Sequence, residues 1–296
     1  MCDNSTNQTS TIFPLDYRIS LMVLYTLVFL GGILGVILMC TSLRSNMLSV
    51  TSVSVLNLVL VHVLFLLTVP FRVYYYATNS WALGTIFCKM TSSMIHANMY
   101  LSIIFYTIIL STRYLSFFEW RHRLEFYRVL HALIASVTIW AVILGLALPA
   151  TVLTYGNVRT NNNNLCFTYG LALNNVGVKV VNYILSGVVL VIWLSLASCQ
   201  LYILWQVCRK HGKASLSHQE FWAQIKSLCF LLIMLICFVP YQSFRIYYVS
   251  AYCQQLATIN EVFIAVTAFS CFDMLIFAGR DMWRPLYTTC CVSFQD

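Results

Sequence analysis

The chain has 296 residues, of which 60% are hydrophobic and 9% are charged, and its formal net charge is +8. Its mean hydropathy is +0.80. A soluble globular domain of this length does not tolerate so apolar a composition. The sequence therefore predicts a polytopic membrane protein.

The first segment, residues 1–18, carries two N-glycosylation sequons, which begin at Asn4 and Asn7. Glycan acceptors face the lumen during synthesis, so both sequons favour an outside location for this segment. No signal-peptide pattern precedes residue 17. We therefore expect the first membrane span to act as its own insertion signal.

Seven apolar segments follow, each long enough to cross a bilayer core of about 30 Å. They occupy residues 19–43, 48–71, 88–113, 129–151, 178–207, 224–249 and 257–279. An odd number of spans places the two termini on opposite faces of the membrane. The predicted fold class is an all-α bundle of seven transmembrane helices, with a short amphipathic helix after the seventh.

The positively charged residues predict the orientation, because cytoplasmic connections carry an excess of Lys and Arg. With the amino terminus outside, eleven of the 17 Lys and Arg residues fall on the cytoplasmic side. The sequence thus predicts a multi-pass plasma-membrane protein with an extracellular amino terminus (1–18), a transmembrane domain (19–279) and a cytoplasmic helix and tail (280–296).

Of the 12 cysteines, four fall outside the membrane on the oxidising side: Cys2, Cys88, Cys166 and Cys253. Four cysteines allow three pairings. We favour the pair Cys88 and Cys166, which leaves Cys2 to pair with Cys253. Arg113 follows Cys88 by 25 residues, a rise of roughly 37 Å along a helix, so the third span joins an oxidising compartment to the cytosol.

Two further cysteines, Cys290 and Cys291, follow the amphipathic stretch after the seventh span. Juxtamembrane cysteines of this kind are candidates for S-palmitoylation, and the alternative is that both are ordinary free thiols.

The chain has no His-Glu-x-x-His motif, no Gly-rich phosphate loop and no nucleophile elbow. The connections between spans are also too short to fold as separate domains. We therefore expect neither an enzyme nor a cofactor, metal or nucleic-acid partner.

Several motifs resemble the rhodopsin class of G protein-coupled receptors in their order and spacing. They are the outer Cys88 and Cys166, Thr112-Arg113-Tyr114 at the end of the third span, Trp140 in the fourth, and the run from Cys237 to Tyr241 in the sixth. The resemblance covers nearly the whole chain. It implies a receptor that passes an extracellular signal to a heterotrimeric G protein by outward movement of the sixth span.

Arg113 is the coupling residue that this resemblance implies. The family's preceding aspartate is Thr112 here, whereas Glu220 lies twenty residues before Pro240, where the family's acidic partner falls. The resemblance implies a clasp from Arg113 to Glu220, and the alternative is that both are solvated charges. An exposed ion pair is typically worth only about 0–1 kcal/mol, so such a clasp biases the resting state without locking it.

A buried polar site is implied at the family's conserved membrane positions. His62 replaces the aspartate of the second span, and Asp273 and Phe277 take the first and last positions of the seventh-span motif. Ionisable groups inside a membrane usually face a partner. We expect a hydrogen bond from His62 to Asp273, against the alternative of a neutral His62 bonded to a backbone carbonyl or water.

The sixth span contains the expected hinge. Phe238 replaces the tryptophan that the family often carries, and Pro240 remains. A proline inside a helix removes one hydrogen bond and bends the helix. The bend would open a crevice near Arg113 for an amphipathic helix of a G protein.

The ligand is less well defined by the sequence. Ile95 stands where aminergic receptors carry an aspartate, so no amine ligand is indicated. Candidate ligand contacts lie at the outer ends of the spans: Arg72, Lys89, Lys179, Arg245, Tyr248 and Glu261. We expect an anionic small molecule or lipid, held mainly by Arg245, with a resting pair between Arg245 and Glu261. The alternative is that these cations snorkel to lipid headgroups.

A different class of function is a non-signalling decoy or a heteromer partner that modulates another receptor. Replacing Arg113 separates the two hypotheses, because a signalling receptor loses output and a decoy does not. A transporter would show repeated halves with broken helices at matching positions, and the sequence has no such repeat.

Overall fold

The structure, a computed structural model, describes residues 15–43, 50–117, 125–147, 166–167, 176–211, 219–251 and 254–275. Within these ranges the chain is helical, without strands. The α-helices are Leu15–Leu43, Val50–Leu66, Val69–Thr78, Thr85–Phe117, Glu125–Val142, Val176–His211, Gln219–Ile233, Val239–Ser250 and Gln254–Thr267. Two π-helical turns, Ile143–Ala147 and Met234–Phe238, and a 3-10 turn, Ala268–Phe272, extend three of them.

The helices agree with the predicted spans. In the described part of the chain, six helical segments are long and apolar enough to cross a membrane, and a shorter apolar helix, Ala132–Gly145, lies where the fourth span is predicted. Several sequence-predicted sites lie outside the described residues: Cys2, Asn4, Asn7, Cys253, Phe277, Cys290, Cys291 and the amphipathic stretch 280–287.

Two spans are interrupted at prolines. In the second span, Pro70 lies in the first turn of Val69–Thr78, and the Thr68 hydroxyl donates to the Phe65 carbonyl at 2.7 Å. In the sixth span, the π-helical turn Met234–Phe238 lies directly before Pro240. Since proline supplies no N–H and displaces the preceding carbonyls, local repacking of the helix is expected at both places. The second interruption lies where the sequence predicts the hinge.

Glycines bring the first span close to its neighbours. A Cβ atom on Gly31 would overlap the ring of Phe272, and one on Gly35 would lie 3.0 Å from Met274 Cβ in the seventh span. Small residues at a membrane helix interface let two backbones approach closely. The first and seventh spans are therefore packed directly against each other.

The fourth span is tied to the second by polar contacts. Trp140 Nε1 donates to Asn57 Oδ1 at 2.8 Å, and the Asn57 amide donates to the Ser136 hydroxyl. The third span lies against both the second and the fifth. Cys88 lies near its start and Arg113 near its end, so we call the two ends of the bundle the disulfide end and the Arg113 end.

Candidate functional site

A disulfide joins Cys88 to Cys166, with a Cα–Cα distance of 5.8 Å, which confirms this predicted pair. The next residue, Phe167, is buried and has a left-handed backbone (φ 65°). Its ring lies 5.0 Å from the ring of Tyr75 and 5.8 Å from that of Trp81, measured between centroids. The disulfide and these ring contacts together hold Cys166 and Phe167 on the end of the bundle.

Arg72 lies beneath Phe167 and is only 1% exposed. Its guanidinium lies 4.5 Å from the ring centroid of Phe167 and 5.5 Å from that of Tyr25. It donates to the Tyr25 hydroxyl at 3.3 Å and to the Thr91 carbonyl at 3.2 Å. Arg72 therefore connects the first, second and third spans to Phe167.

Arg245 is the second buried arginine at this end, with 7% of its surface exposed. Its Nε and Nη2 donate to Asn182 Oδ1 at 3.0 and 2.8 Å, and its Nη1 donates to the Tyr241 hydroxyl at 2.8 Å. These bonds run to neutral oxygens on the fifth and sixth spans.

The predicted resting pair between Arg245 and Glu261 is not formed in the described part of the structure. Glu261 is buried and accepts a hydrogen bond from the Tyr76 hydroxyl at 3.2 Å. Asn182 and Tyr241 lie close enough to Arg245 to bind it, and they take the place that the sequence assigns to Glu261.

Sequence reasoning missed several polar residues around Arg245. The ring of His96, on the third span, lies 6.4 Å from that of Tyr241 between centroids. Gln242 accepts from the Ser186 hydroxyl at 2.8 Å and donates to Met99 Sδ at 3.4 Å. Asn182 and Ser186 are four residues apart in an apolar helix, and this polar pair on one face was the available signal.

The remaining ligand candidates differ in exposure. Lys89 and Lys179 are half-buried near the disulfide end. Tyr248 is 2% exposed, and its ring stacks on Phe244 with centroids 6.1 Å apart. The two lysines retain access to the surface of the bundle, whereas Tyr248 packs in its interior.

A buried polar network lies midway between the two ends. His62 Nε2 is 3.4 Å from each carboxylate oxygen of Asp273. His62 Nδ1 is 2.9 Å from Asn98 Oδ1 and 3.3 Å from Cys271 Sγ. The Tyr106 hydroxyl donates to Asp273 Oδ2. The side chains of the second, third and seventh spans therefore meet at one fully buried site, and Asn98, Tyr106 and Cys271 are additions to the predicted pair.

This network touches the hinge of the sixth span. Phe238 is fully buried, and its ring centroid lies 6.2 Å from that of Tyr106. Pro240 lies in the first turn of the helix that follows, Val239–Ser250. A displacement at the π-helical turn therefore changes the surroundings of Tyr106, which is bonded to Asp273.

At the other end, Arg113 Nη1 donates to the hydroxyl of Ser227 in the sixth span at 3.0 Å. Its guanidinium lies 5.6 Å from the ring centroid of Phe230. Thr112 stands in the position of the family's aspartate, but its hydroxyl donates to the Ile109 carbonyl of its own helix at 2.9 Å. The side chain of Glu220 lies outside the described residues. The described hydrogen-bond partner of Arg113 is thus a neutral hydroxyl.

Comparison with known proteins identifies the class. Residues 4–276 match the family described as 7 transmembrane receptor (rhodopsin family). The chain is 40% identical over 291 residues to the human "Probable G-protein coupled receptor 141", which covers 96% of this chain and 95% of the relative. It is 26% identical over 285 residues to the chimpanzee "Probable G-protein coupled receptor 34", covering 90% and 74% of the two chains.

A third relative is the rat "2-oxoglutarate receptor 1", 26% identical over 238 residues, with coverage of 79% of this chain and 69% of the relative. The family match spans nearly the whole chain, so the protein belongs to the rhodopsin family of seven-transmembrane receptors. Members of this family are membrane receptors that generally couple to G proteins, and they are not enzymes.

Proposed function

We propose that the protein is a plasma-membrane receptor whose disulfide end faces the outside and whose Arg113 end faces the cytosol. The disulfide supports this orientation, because such bonds persist in oxidising compartments. The excess of Lys and Arg on the other side, eleven of 17, supports it independently. The domain limits follow: a glycosylated amino terminus (1–18), the bundle (19–279) and a cytoplasmic helix and tail (280–296) with the palmitoylation candidates.

The ligand is an anionic small molecule or lipid with a carboxylate or phosphate group, and Arg245 is its main contact. The observation that carries this proposal is the set of three hydrogen bonds from the buried Arg245 to neutral oxygens of Asn182 and Tyr241. An anion adds a Coulombic attraction to the positive guanidinium that the neutral oxygens of Asn182 and Tyr241 do not supply. A carboxylate or phosphate therefore competes well for the guanidinium and binds it in two places.

The neighbouring residues define secondary contacts. Lys89 and Lys179 are half-buried and their flexible stems can follow an anion to Arg245. Arg72 acts through Phe167, which it contacts, and helps to shape the entrance. Glu261 disfavours anions that approach the Tyr76 side, and Tyr248 supports the helix that carries Arg245. One relative is named for 2-oxoglutarate, a dicarboxylate, which agrees with an anionic ligand.

The signal then passes along the sixth span. Arg245 lies five residues beyond Pro240, which itself follows the π-helical turn Met234–Phe238. Movement of Arg245 therefore acts close to the hinge, and Phe238 transmits the change to Tyr106 and Asp273. Asp273 is the first residue of the sequence motif that ends at Phe277. Opening of the Arg113 end exposes Thr112, Arg113 and Tyr114 to a helix of a heterotrimeric G protein.

The experiment is a screen of small carboxylates and phosphate esters beside neutral isosteres, read with G protein biosensors in cells that express the receptor. We expect agonists only among the anions. Arg245→Ala should abolish the response and Arg245→Lys should retain part of it. Arg18→Ala is the matched control, because Arg18 lies at the same end and donates to the Tyr76 and Ala77 carbonyls. A neutral agonist with equal potency on all variants would contradict the anionic site.

A second candidate is a decoy or heteromer partner that does not signal. The replacement of the family's acidic residue by Thr112, whose hydroxyl donates to the Ile109 carbonyl of its own helix, favours this alternative over an ordinary coupling mechanism. A biosensor panel read without added ligand separates the two. A basal biosensor signal that disappears in Arg113→Ala identifies a signalling receptor. If the parent protein gives no biosensor signal with any G protein or any agonist, it is a decoy.

A further inference from the structure

Acidic residues are scarce at the disulfide end of the chain. Of the nine Asp and Glu residues, only Asp3, Asp16 and Glu261 fall on that side of the predicted spans. Asp3 lies outside the described residues, and Asp16 is exposed at the start of the first helix. Glu261 is buried. It is therefore the one buried acid at this end in the part of the chain that the structure describes.

The buried charges at this end do not cancel. In the described ranges they belong to Arg72, Arg245 and Glu261, so two positive charges and one negative charge leave one net positive charge. Lys89 and Lys179 are half-buried, and contact with water screens their charges more strongly. A net charge inside a bundle is costly unless it is balanced. One negative charge from a ligand would balance this end.

Two stacked tyrosines connect Arg72 to Glu261. Arg72 donates to the Tyr25 hydroxyl at 3.3 Å, and the ring of Tyr25 stacks on that of Tyr76 with 5.9 Å between centroids. The Tyr76 hydroxyl donates to Glu261 Oε2 at 3.2 Å. The guanidinium and the carboxylate thus border the same pair of rings, and Glu261 offsets the charge of Arg72 there.

Glu261 also lies near the depth of Arg245. Phe263 follows Glu261 by two residues, a rise of about 3 Å along a helix. Its ring stacks on that of Phe244, the residue before Arg245, with centroids 4.6 Å apart. An anion bound to Arg245 therefore approaches Glu261. At a separation of about 10 Å and an effective dielectric constant of about 20, one pair of like charges weakens binding roughly tenfold.

We propose that Glu261 is a specificity-determining residue, which restricts the anion site to ligands with a single negative charge, such as a monocarboxylate or a phosphate diester. One such group balances the net positive charge, whereas a second negative charge would make the buried charge negative and is repelled by Glu261. Dicarboxylates and phosphate monoesters should therefore bind more weakly. This inference rests on the proposed function, because it takes Arg245 as the anion contact.

The test uses the purified full-length receptor in phosphatidylcholine nanodiscs at neutral pH. Two pairs of probes differ in charge at equal chain length: octanoate and suberate, which dissolve in water, and lysophosphatidylglycerol and lysophosphatidic acid, which enter the lipid. The second phosphate proton of a monoester dissociates near a pKa of about 6, so lysophosphatidic acid carries more negative charge than the diester. The rise in melting temperature with probe concentration gives an apparent Kd.

Three variants separate the charge of Glu261 from its hydrogen bond. Glu261→Gln removes the charge and keeps an acceptor for Tyr76. Tyr76→Phe removes the hydrogen bond to Glu261 and keeps the charge. Asp16→Asn is the matched control, because it removes the same charge from an exposed position at the same end.

We expect the parent to bind the monoanion of each pair about tenfold more tightly than the dianion. This preference should shrink about tenfold in Glu261→Gln and should persist in Tyr76→Phe and Asp16→Asn. Binding confined to one pair, with the same preference, supports the inference and identifies the source of the ligand as water or lipid.

Two results would overturn the inference while leaving Arg245 as the anion contact. One is equal or tighter binding of the dianion by the parent, which needs no variant. The other is an unchanged preference in a folded Glu261→Gln. The proposed function fails differently: binding of the probes that is the same in Arg245→Ala, or no binding of any probe, would contradict the anionic site itself, and the inference would fall with it.

Discussion

The two ends of the bundle hold their arginines in different ways. At the disulfide end, Arg72 lies between two aromatic rings and donates two hydrogen bonds, and Arg245 donates three. At the other end, Arg113 has one described hydrogen bond, to Ser227, and one ring contact, to Phe230. The arginines at the disulfide end therefore have more described contacts than Arg113 has at the other end.

The physical reason lies in the strength and number of the contacts. The disulfide is covalent and adjoins a cluster of rings that includes Tyr75, Trp81 and Phe167. A neutral hydrogen bond adds a net of only about 0.5–1.5 kcal/mol. Under the proposed function, this difference would let the disulfide end keep its shape while the Arg113 end opens.

Breaking the disulfide should have the largest effect, because it removes the covalent contact at the disulfide end. In Cys88→Ser we expect a loss of about 2–5 kcal/mol of stability and a fall in folded receptor at the cell surface. Non-reducing peptide mapping of the parent and thermal unfolding of both proteins check this. The exposed free cysteine Cys40 provides the control, Cys40→Ser. Wild-type melting and surface expression of Cys88→Ser would show that the ring cluster alone holds this end.

The buried network between the ends should give an intermediate effect. Asp273 binds both His62 and Tyr106, so Asp273→Ala leaves two buried polar groups without their acceptor. We expect it to cost about 1–3 kcal/mol. A double-mutant cycle of Tyr106→Phe and Asp273→Asn, measured by thermal unfolding, should show a coupling of about 0.5–3 kcal/mol. Additive effects of the two changes would mean that the network does not link the third and seventh spans.

The smallest effect should come from Glu220→Ala, which tests whether a charged residue adds to the restraint on Arg113. If Glu220 restrains Arg113 in addition to Ser227, its removal should raise basal signalling by no more than about fivefold, which corresponds to the 0–1 kcal/mol typical of exposed ion pairs. Basal biosensor output at matched surface expression measures the change, with Arg113→Ala as the silent reference. An unchanged basal output from Glu220→Ala would assign the resting contact of Arg113 to Ser227 alone.

Much of the architecture was predictable from the sequence. A bilayer core demands long apolar helices, so the spans followed from hydropathy alone. The pair Cys88 and Cys166 and the interruption before Pro240 were also predictable, because compartment chemistry and the missing proline N–H restrict what these residues can do. His62 and Asp273 were placed together by the resemblance to the family, and in the structure they meet inside the bundle.

Which residues hold the arginines was decided only by the tertiary structure. Ser227 is 114 residues from Arg113, Asn182 is 63 from Arg245, and Tyr76 is 185 from Glu261. Each pair joins different spans, so its formation depends on the rotation and depth of two packed helices. The sequence reasoning searched for opposite charges and chose Glu220 and Glu261. Inside a membrane bundle a neutral hydroxyl or amide at the right rotation also satisfies a buried guanidinium, and a neutral residue leaves no charge pattern in the sequence to reveal it.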